Sequence, residues 1–255
     1  MNATLVSGEV RNLHLEVVRV PVFRPLTWLH DGWLDMRTSA SLGYGALIVA
    51  MGWTLLVFCG THPYFIAAAI SGFLLVGPVM SAGLCEISRR YSAGESATFD
   101  ESLEGFARNR HALFEFGGIL AACAVVWFAI SALMLGTVFH IAAPDIRETL
   151  YQGFFAATNR PQVLAYIAVG GLLAAGVFAV SVVAIPLIID RHATAGQAMR
   201  ASVKAVLSNI PAMIVWSALI LILTIIGYAT LLAGLLFVTP LLGHATWHAY
   251  KDMIR

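Results

Sequence analysis

The chain has 255 residues, of which 59% are hydrophobic and 11% charged, and its mean hydropathy is +0.82. Soluble domains carry about 25% charged residues, so a soluble globular domain and a disordered chain are both excluded. With 15 basic and 14 acidic residues the formal net charge is +1, and no strong overall field recruits nucleic acid.

Residues 1–37 mix Arg11, Arg19, Arg24 and Arg37 with Glu9, Glu16, Asp31 and Asp35. They contain no uninterrupted apolar stretch of about 7–15 residues, so a cleavable signal peptide is not expected. The segment reads as a cytoplasmic tail. Inside it, Leu26–Asp35 carries Trp28 and Trp33, which suit an amphipathic helix lying at a membrane interface.

Residues 38–255 read as one membrane domain. Four runs lack Asp, Glu, Lys and Arg: 48 residues from Thr38 to Cys85, 29 from Phe116 to Pro144, 29 from Pro161 to Ile189, and 46 from Ala205 to Tyr250. A spanning helix needs roughly 20 apolar residues, so the runs hold two, one, one and two spans. Six transmembrane helices are predicted, near 41–60, 64–88, 113–140, 162–189, 209–228 and 229–251. Continuous rather than alternating apolarity favours helices over a barrel. Breaks are expected at Gly60–Pro63 and Gly227–Tyr228. The fold class is therefore an all-α membrane protein.

Two polar connections are predicted to form further interfacial helices. One follows Gly94, with caps in Ser96–Asp100 and Leu103, Phe106 and Ala107 at helical spacing. The other follows Thr194, with Ala198, Val203, Ala205 and Val206. Counting Arg and Lys in the tail, the connections and the carboxyl end gives 13 on one side and two (Arg147, Arg160) on the other. Basic residues favour the cytoplasmic side, so both termini and the interfacial helices are expected there.

An internal repeat appears at an offset of 100 residues: Ser102–Asn109 aligns with Ser202–Asn209. Each copy follows a span carrying a proline, Pro78 or Pro186, and Pro240 marks a third. Proline frees a backbone carbonyl and bends a helix, so three kinked spans are predicted. The plainer expectation is that the kinks serve packing. The alternative is a small transporter or channel, with Ser181 near Pro186 and Thr239 beside Pro240 lining a polar path together with Pro78.

The chemistry-bearing residues give no legible catalytic constellation. Cys59, Cys85 and Cys123 are odd in number, lack a C-x-x-C spacing, and sit in apolar runs, which argues against disulfides and closed zinc sites. Glu86, Glu115 and Asp190 lie near span ends beside cations and are expected to form boundary ion pairs: Glu86 with Arg89 and Arg90, Glu115 with Arg108 or His111, Asp190 with Arg191. His244 and His248 are spaced i, i+4 on one helix face, a spacing that can hold a metal or a haem, but the segment His-Ala-Thr-Trp-His lacks the glutamate of a zinc-peptidase motif. A hydrogen-bonded interfacial role is the plainer expectation for this pair, and for His62 and His140. No cofactor is therefore expected, with haem or metal handling through His244 and His248 as a further alternative. In the fourth span, Gly171, Ala175 and Ala179 form a small-residue stripe that lets another helix approach closely.

Four segments carry a resemblance: Pro240-Leu-Leu-Gly-His-Ala-Thr-Trp-His-Ala-Tyr-Lys-Asp252, Cys85-Glu-Ile-Ser-Arg-Arg90, Val183–Arg191 and Trp28–Asp35. Together they resemble a bacterial family of predicted integral membrane proteins of unknown function, over about residues 25–253. Some members of that family are labelled as cytochrome c oxidase components. The resemblance implies a bacterial inner-membrane location. The expected function is a non-catalytic accessory or scaffold subunit of a larger membrane complex, with a respiratory oxidase suggested by those labels. Its expected partners are the lipid bilayer and another membrane protein or a second copy of itself.

Overall fold

The computed structural model describes residues 15–37, 39–59, 80–134 and 160–255. Helices dominate the described residues: α1 (Arg24–Met36), α2 (Ser39–Cys59), α3 (80–92), α4 (Phe99–Ser102), α5 (Glu104–Arg108), α6 (Arg110–Leu133), α7 (Arg160–Ser181), α8 (Ala184–Arg191), α9 (Ala195–Ser208), α10 (Ile210–Ala229) and α11 (Leu235–Met253). The sole extended pairing among them is an isolated bridge between Val17 and Ile254. It ties residues 16–18 to 253–255, through bonds such as Val18 N to Met253 O at 2.9 Å.

Four helical stretches are long and apolar enough to cross a membrane: Ala40–Val57, Arg110–Leu133, Arg160–Arg191 and Ile210–Ala229. They correspond to the predicted first, third, fourth and fifth spans. Of the predicted second span, 80–88 is helical within α3, and its earlier part lies outside the described residues. In place of the predicted sixth span stands α11, which starts later than expected and is not among the four stretches long and apolar enough to cross a membrane. Residues 230–234 form a turn in which Leu231 and Leu232 adopt φ of 53° and 70°, a left-handed conformation unusual for a leucine. The Thr230 hydroxyl holds this turn by accepting from Gly234 N at 2.8 Å. The break therefore falls at 230–234 rather than at Gly227–Tyr228. The shortened α11 ends in a polar half containing His244, Thr246, His248, Lys251 and Asp252.

The proline kinks have distinct local solutions. Before Pro186, the helix breaks between Ser181 and Ala184. Here the hydroxyl of Ser202 in α9 replaces a backbone bond. It donates to Ala179 O at 2.8 Å and accepts from Val183 N at 3.4 Å. A side chain inserted into the i→i−4 ladder is a known cause of sharp helix bends. In α11 the helix runs through Pro240, and the carbonyl that proline deprives of its donor, that of Leu236, faces Gly45 of α2. A Cβ at position 45 would overlap that carbonyl, so glycine is what lets α2 lie against it. Likewise α1 lies close on α11 at Gly32, where a Cβ would stand 2.7 Å from Ala245 N.

The repeat read from the sequence has a structural counterpart at its last position, Asn109 and Asn209, and the two connections that contain it also start alike, although 96 rather than 100 residues apart. Thr98 with Glu101 and Thr194 with Gln197 form reciprocal capping boxes at the starts of α4 and α9, a pairing that satisfies two otherwise orphaned donors. Asn109 and Asn209 head α6 and α10. Asn109 Nδ2 donates to Ala193 O at 2.9 Å. Asn209 Nδ2 donates to Val18 O at 3.1 Å, and its Oδ1 accepts from Val20 N at 2.8 Å. Each asparagine thus fastens the foot of a span to a neighbouring segment of backbone.

The main core joins α1, α3, α6, α7, α8, α9, α10 and α11. Trp28, Phe116, Leu120, Ile188, Trp216 and Tyr250 are buried in it. Along α6, Ala112, Phe116, Leu120, Ala124, Trp127 and Ser131 form one buried stripe, while Phe114, Val125 and Leu133 point outward. That division is what a helix needs when one face meets protein and the other meets lipid.

Candidate functional site

Polar side chains concentrate where α1, α3 and α11 meet the start of α2 and the end of α8. The helical period of α11 sets His244, His248 and Asp252 on one face. That face packs against α1, which supplies Asp35, Trp28 and Arg24, and against α3, which supplies Ser88.

His244 is fully buried, and both of its ring nitrogens have partners. Nε2 is 2.8 Å from Ser41 Oγ, and Nδ1 is 2.7 Å from Ser88 Oγ. Ser88 in turn donates to Asp35 Oδ2 at 2.6 Å, and His248 Nε2 lies 2.9 Å from the same oxygen. Four helices are joined by this one chain of hydrogen bonds. Burial pushes the Asp35 carboxyl up, but the hydrogen bonds from His248 and Ser88 outweigh it and hold the group below its ordinary range. A metal or haem on His244 would have to displace one of the two serines. No group of three or more His, Cys, Asp or Glu suited to a metal occurs among the described residues.

A second cluster surrounds Glu86, whose side chain is 0% exposed. Its carboxylate accepts two bonds from Arg89 at 2.8 Å, two from Arg108 at 2.8 and 3.2 Å, and one from Arg90 at 3.1 Å. A buried carboxylate is tolerable only when paired and hydrogen-bonded in this way. Arg90 extends the cluster to Glu104 at 2.7 Å. The expected pairs of Glu86 are present, and Arg108 joins them instead of reaching Glu115. Glu115 lines a surface hollow with Arg110, His111 and Phe114. Asp190 accepts from the Tyr250 hydroxyl at 2.6 Å.

A third contact fixes the end of α11. Asp252 accepts from Trp28 Nε1 at 2.6 Å and from Arg24 at 2.6 and 3.2 Å. Burial raises the Asp252 carboxyl, but the bonds from Arg24 and Trp28 prevail and lower it overall.

The described residues proposed for a polar path lie on three helices, α7, α8 and α11. Ser181 donates back to Val177 O at 2.6 Å within its own helix. Pro186 is buried in α8, while Pro240 is buried and its neighbour Thr239 half-buried in α11. Pro78, His62 and His140 lie outside the described residues. In the stripe on α7, Gly171 and Ala175 are exposed, and a Cβ at Gly171 would meet nothing within 4 Å. Ala179 is the inner member, its carbonyl taken by Ser202. The close approach within the bundle falls one residue away, at Gly170, against Trp127.

Sequence reasoning did not single out Ser41, Ser88 or Ser202, because a serine in an apolar run carries no signal of its distant partner. Asp35 and Ser88 do fall inside two of the segments that carry the family resemblance.

The apolar helices and their boundary-anchored polar groups define an integral membrane protein. Residues 65–190, 126 of the 255, match the profile of a family described as "Predicted integral membrane protein (DUF2189)". Over that stretch the chain resembles a family of unknown function. The match includes Cys85–Arg90 and nearly all of Val183–Arg191, whereas Trp28–Asp35 and Pro240–Asp252 lie outside it. No curated protein and no solved structure matches the chain.

Proposed function

We propose that this is a non-catalytic protein of a bacterial inner membrane, acting as an accessory or scaffold subunit of a larger membrane complex, with a respiratory oxidase as the first candidate. The observation that carries this reading is the contrast between the two kinds of surface. The buried groups Glu86 and His244 and the half-buried Asp35 and Asp252 are engaged by partners within the chain. Meanwhile α7 turns Gly171, Ala175, Leu164 and Leu172 outward. Small residues flanked by large apolar ones are what a second transmembrane helix packs against when there is no hydrophobic drive between helices in lipid.

In this reading the bundle has six spans with both termini cytoplasmic. The bias of 13 basic residues to two supports that orientation, and so does the pairing of residues 16–18 with 253–255. The helices α1, α4, α5 and α9 lie at the cytoplasmic interface. For α1 this is supported by its division into a face on α11 and an outer face bearing Phe23, Leu26 and Trp33. Those side chains would enter the headgroup boundary.

The test is to tag the protein, solubilise native membranes gently, and quantify what co-purifies. A stoichiometric membrane partner that is lost when Gly171 and Ala175 are both changed to Leu is the expected result. A lone monomer, accompanied by solute flux into proteoliposomes that depends on Thr239 and Pro240, would replace the scaffold by the transporter reading.

A further inference from the structure

We propose that the outer face of α9, with the strand pair beside it, seats the phosphate headgroups of anionic phospholipids, and that Arg200 and Lys204 are its principal contacts. The proposal rests on the placement of α9 at the cytoplasmic interface argued above.

The face follows from the helical period. Ala195, Ala198, Ala201, Ser202 and Ala205 are buried, so Arg200, Lys204 and Leu207, at i, i+4 and i+7, fall on the other side of the helix. All three are exposed. The row changes from basic to apolar toward the next span. Leu207 is 65% exposed, and Ile210, the first residue of α10, is 50% exposed. A lysine or arginine just before such a boundary lays its aliphatic stem along the apolar edge and holds its charge at headgroup level.

The strand pair enlarges this surface. The pairing of Val17 with Ile254 brings Arg255 beside Lys204, and both line one hollow of about 540 Å³ with Leu15, Glu16 and Val17. Arg19 sits between Val18 and Val20, whose backbone groups are bonded to Asn209 at the head of α10, so it is tied to the same corner. Arg19, Arg200, Lys204 and Arg255 are exposed and take part in none of the ion pairs among the described residues. Against them, Glu16 is the acidic side chain lining the hollow, and Asp252 is already neutralised by Arg24. The excess of cations beside exposed apolar side chains is the complement of an anionic headgroup on its acyl chains.

Other parts of the bundle foot offer no such excess. Near α4 and α5, Glu95 and Asp100 are exposed, and Arg90 is shared among Glu86, Glu101 and Glu104. At the foot of α6, the exposed Arg110 shares its hollow with Glu115. Anionic lipid is therefore expected at α9 rather than evenly around the foot.

The experiment is native mass spectrometry of the full-length protein in detergent, titrated with phosphatidylglycerol or with phosphatidylcholine. The first phosphatidylglycerol is expected to bind more tightly than the first phosphatidylcholine. A basic side chain near an anionic surface contributes a factor of about five, so Arg200→Gln with Lys204→Gln should weaken phosphatidylglycerol about 25-fold. Both residues are exposed, so this variant should melt as the wild type does. Arg110→Gln should bind as wild type. Equal binding of the two lipids, an unaffected double variant, or an equal loss in Arg110→Gln would each overturn the site. Displacement of phosphatidylglycerol by an equal concentration of inorganic phosphate would make it a site for the free anion instead. Unchanged lipid binding, with loss of a protein that co-purifies from native membranes, would make the face a protein interface and end the proposal. Lys204→Cys, treated with a membrane-impermeant thiol reagent, reports the placement of α9 separately. Labelling above the unsubstituted background in inverted vesicles, and not in spheroplasts, keeps α9 cytoplasmic whatever the lipid result; labelling in spheroplasts overturns both readings.

Discussion

The indole N–H of Trp28 donates to Asp252 across 2.6 Å, joining α1 to the last turn of α11 over 224 residues of sequence. Trp28 is fully buried and meets Trp216 of α10 edge-on, at 5.8 Å between ring centroids. One tryptophan thereby links three helices, by its apolar body and by its polar edge. Changing Trp28 to Phe keeps most of the apolar contact and removes the donor. A hydrogen bond to a charged group contributes about 1.5–3 kcal/mol, so Trp28→Phe should lower the melting temperature measurably in detergent. A melting curve unchanged from wild type would show that Arg24 alone satisfies Asp252.

Glu86 is the most demanding buried charge, because three guanidinium groups converge on it. Glu86→Gln leaves those cations without a counter-ion, a change that typically costs about 3–5 kcal/mol when a buried pair loses one partner. The expected outcome is poor accumulation in the membrane, or unfolding at much lower temperature, compared with Arg108→Lys. Equal stability of the two variants would mean that water reaches the cluster.

Acid should loosen the foot of the bundle. Asp35 and Asp252 are both held below their ordinary values in the folded state. Such groups contribute stability above the unfolded carboxyl value, about 3.9. That contribution is lost as pH falls through the lower, folded values. Melting temperature should therefore be level near neutrality and decline on acidification below about pH 4. Asp252→Asn should be less stable at neutral pH and show a shallower decline. A steeper decline in that variant would contradict the assignment.

The Ser202 hydroxyl stands in the place of a backbone bond at the α7–α8 break. Ser202→Ala leaves the N–H of Val183 and the carbonyl of Ala179 without this partner, which costs about 1–3 kcal/mol when both are buried. Pro186→Ala restores the missing donor at position 186 and lets the helix close. The two changes should therefore be coupled, with Ser202→Ala costing less in the Pro186→Ala background. Additive effects in a double-mutant cycle would show that the break is set elsewhere.

The two histidines of α11 give a check on the cofactor alternative. With both nitrogens of His244 engaged by serines, the purified protein and the His244→Ala, His248→Ala double variant should contain the same metal and show the same visible spectrum. A haem band present in wild type and absent from the double variant would reverse that expectation.

The membrane class of this protein, four helices long and apolar enough to span, and the capped helices α4 and α9 could be read from the sequence. They depend on local properties: charge-free runs, the helical period, and Thr-x-x-Glu or Thr-x-x-Gln at a helix start. The matching roles of Asn109 and Asn209 were foreshadowed by their offset of 100 residues. The start of the last helix was misplaced, because left-handed backbone at Leu231 and Leu232 has no signature in two leucines. The ion pairs of Glu86 with Arg89 and Arg90 were legible as i, i+3 and i, i+4 neighbours, whereas Arg108 arrives from 22 residues away.

Only the tertiary structure decided what surrounds His244. Its partners Ser41 and Ser88 lie 203 and 156 residues away, and the Asp35–His248 contact spans 213. A burial pattern says that a side chain must leave solvent, and the hydrophobic effect that enforces it has no direction. A hydrogen bond has both direction and a narrow range of distance, so which polar groups meet was settled when α1, α2, α3 and α11 packed together.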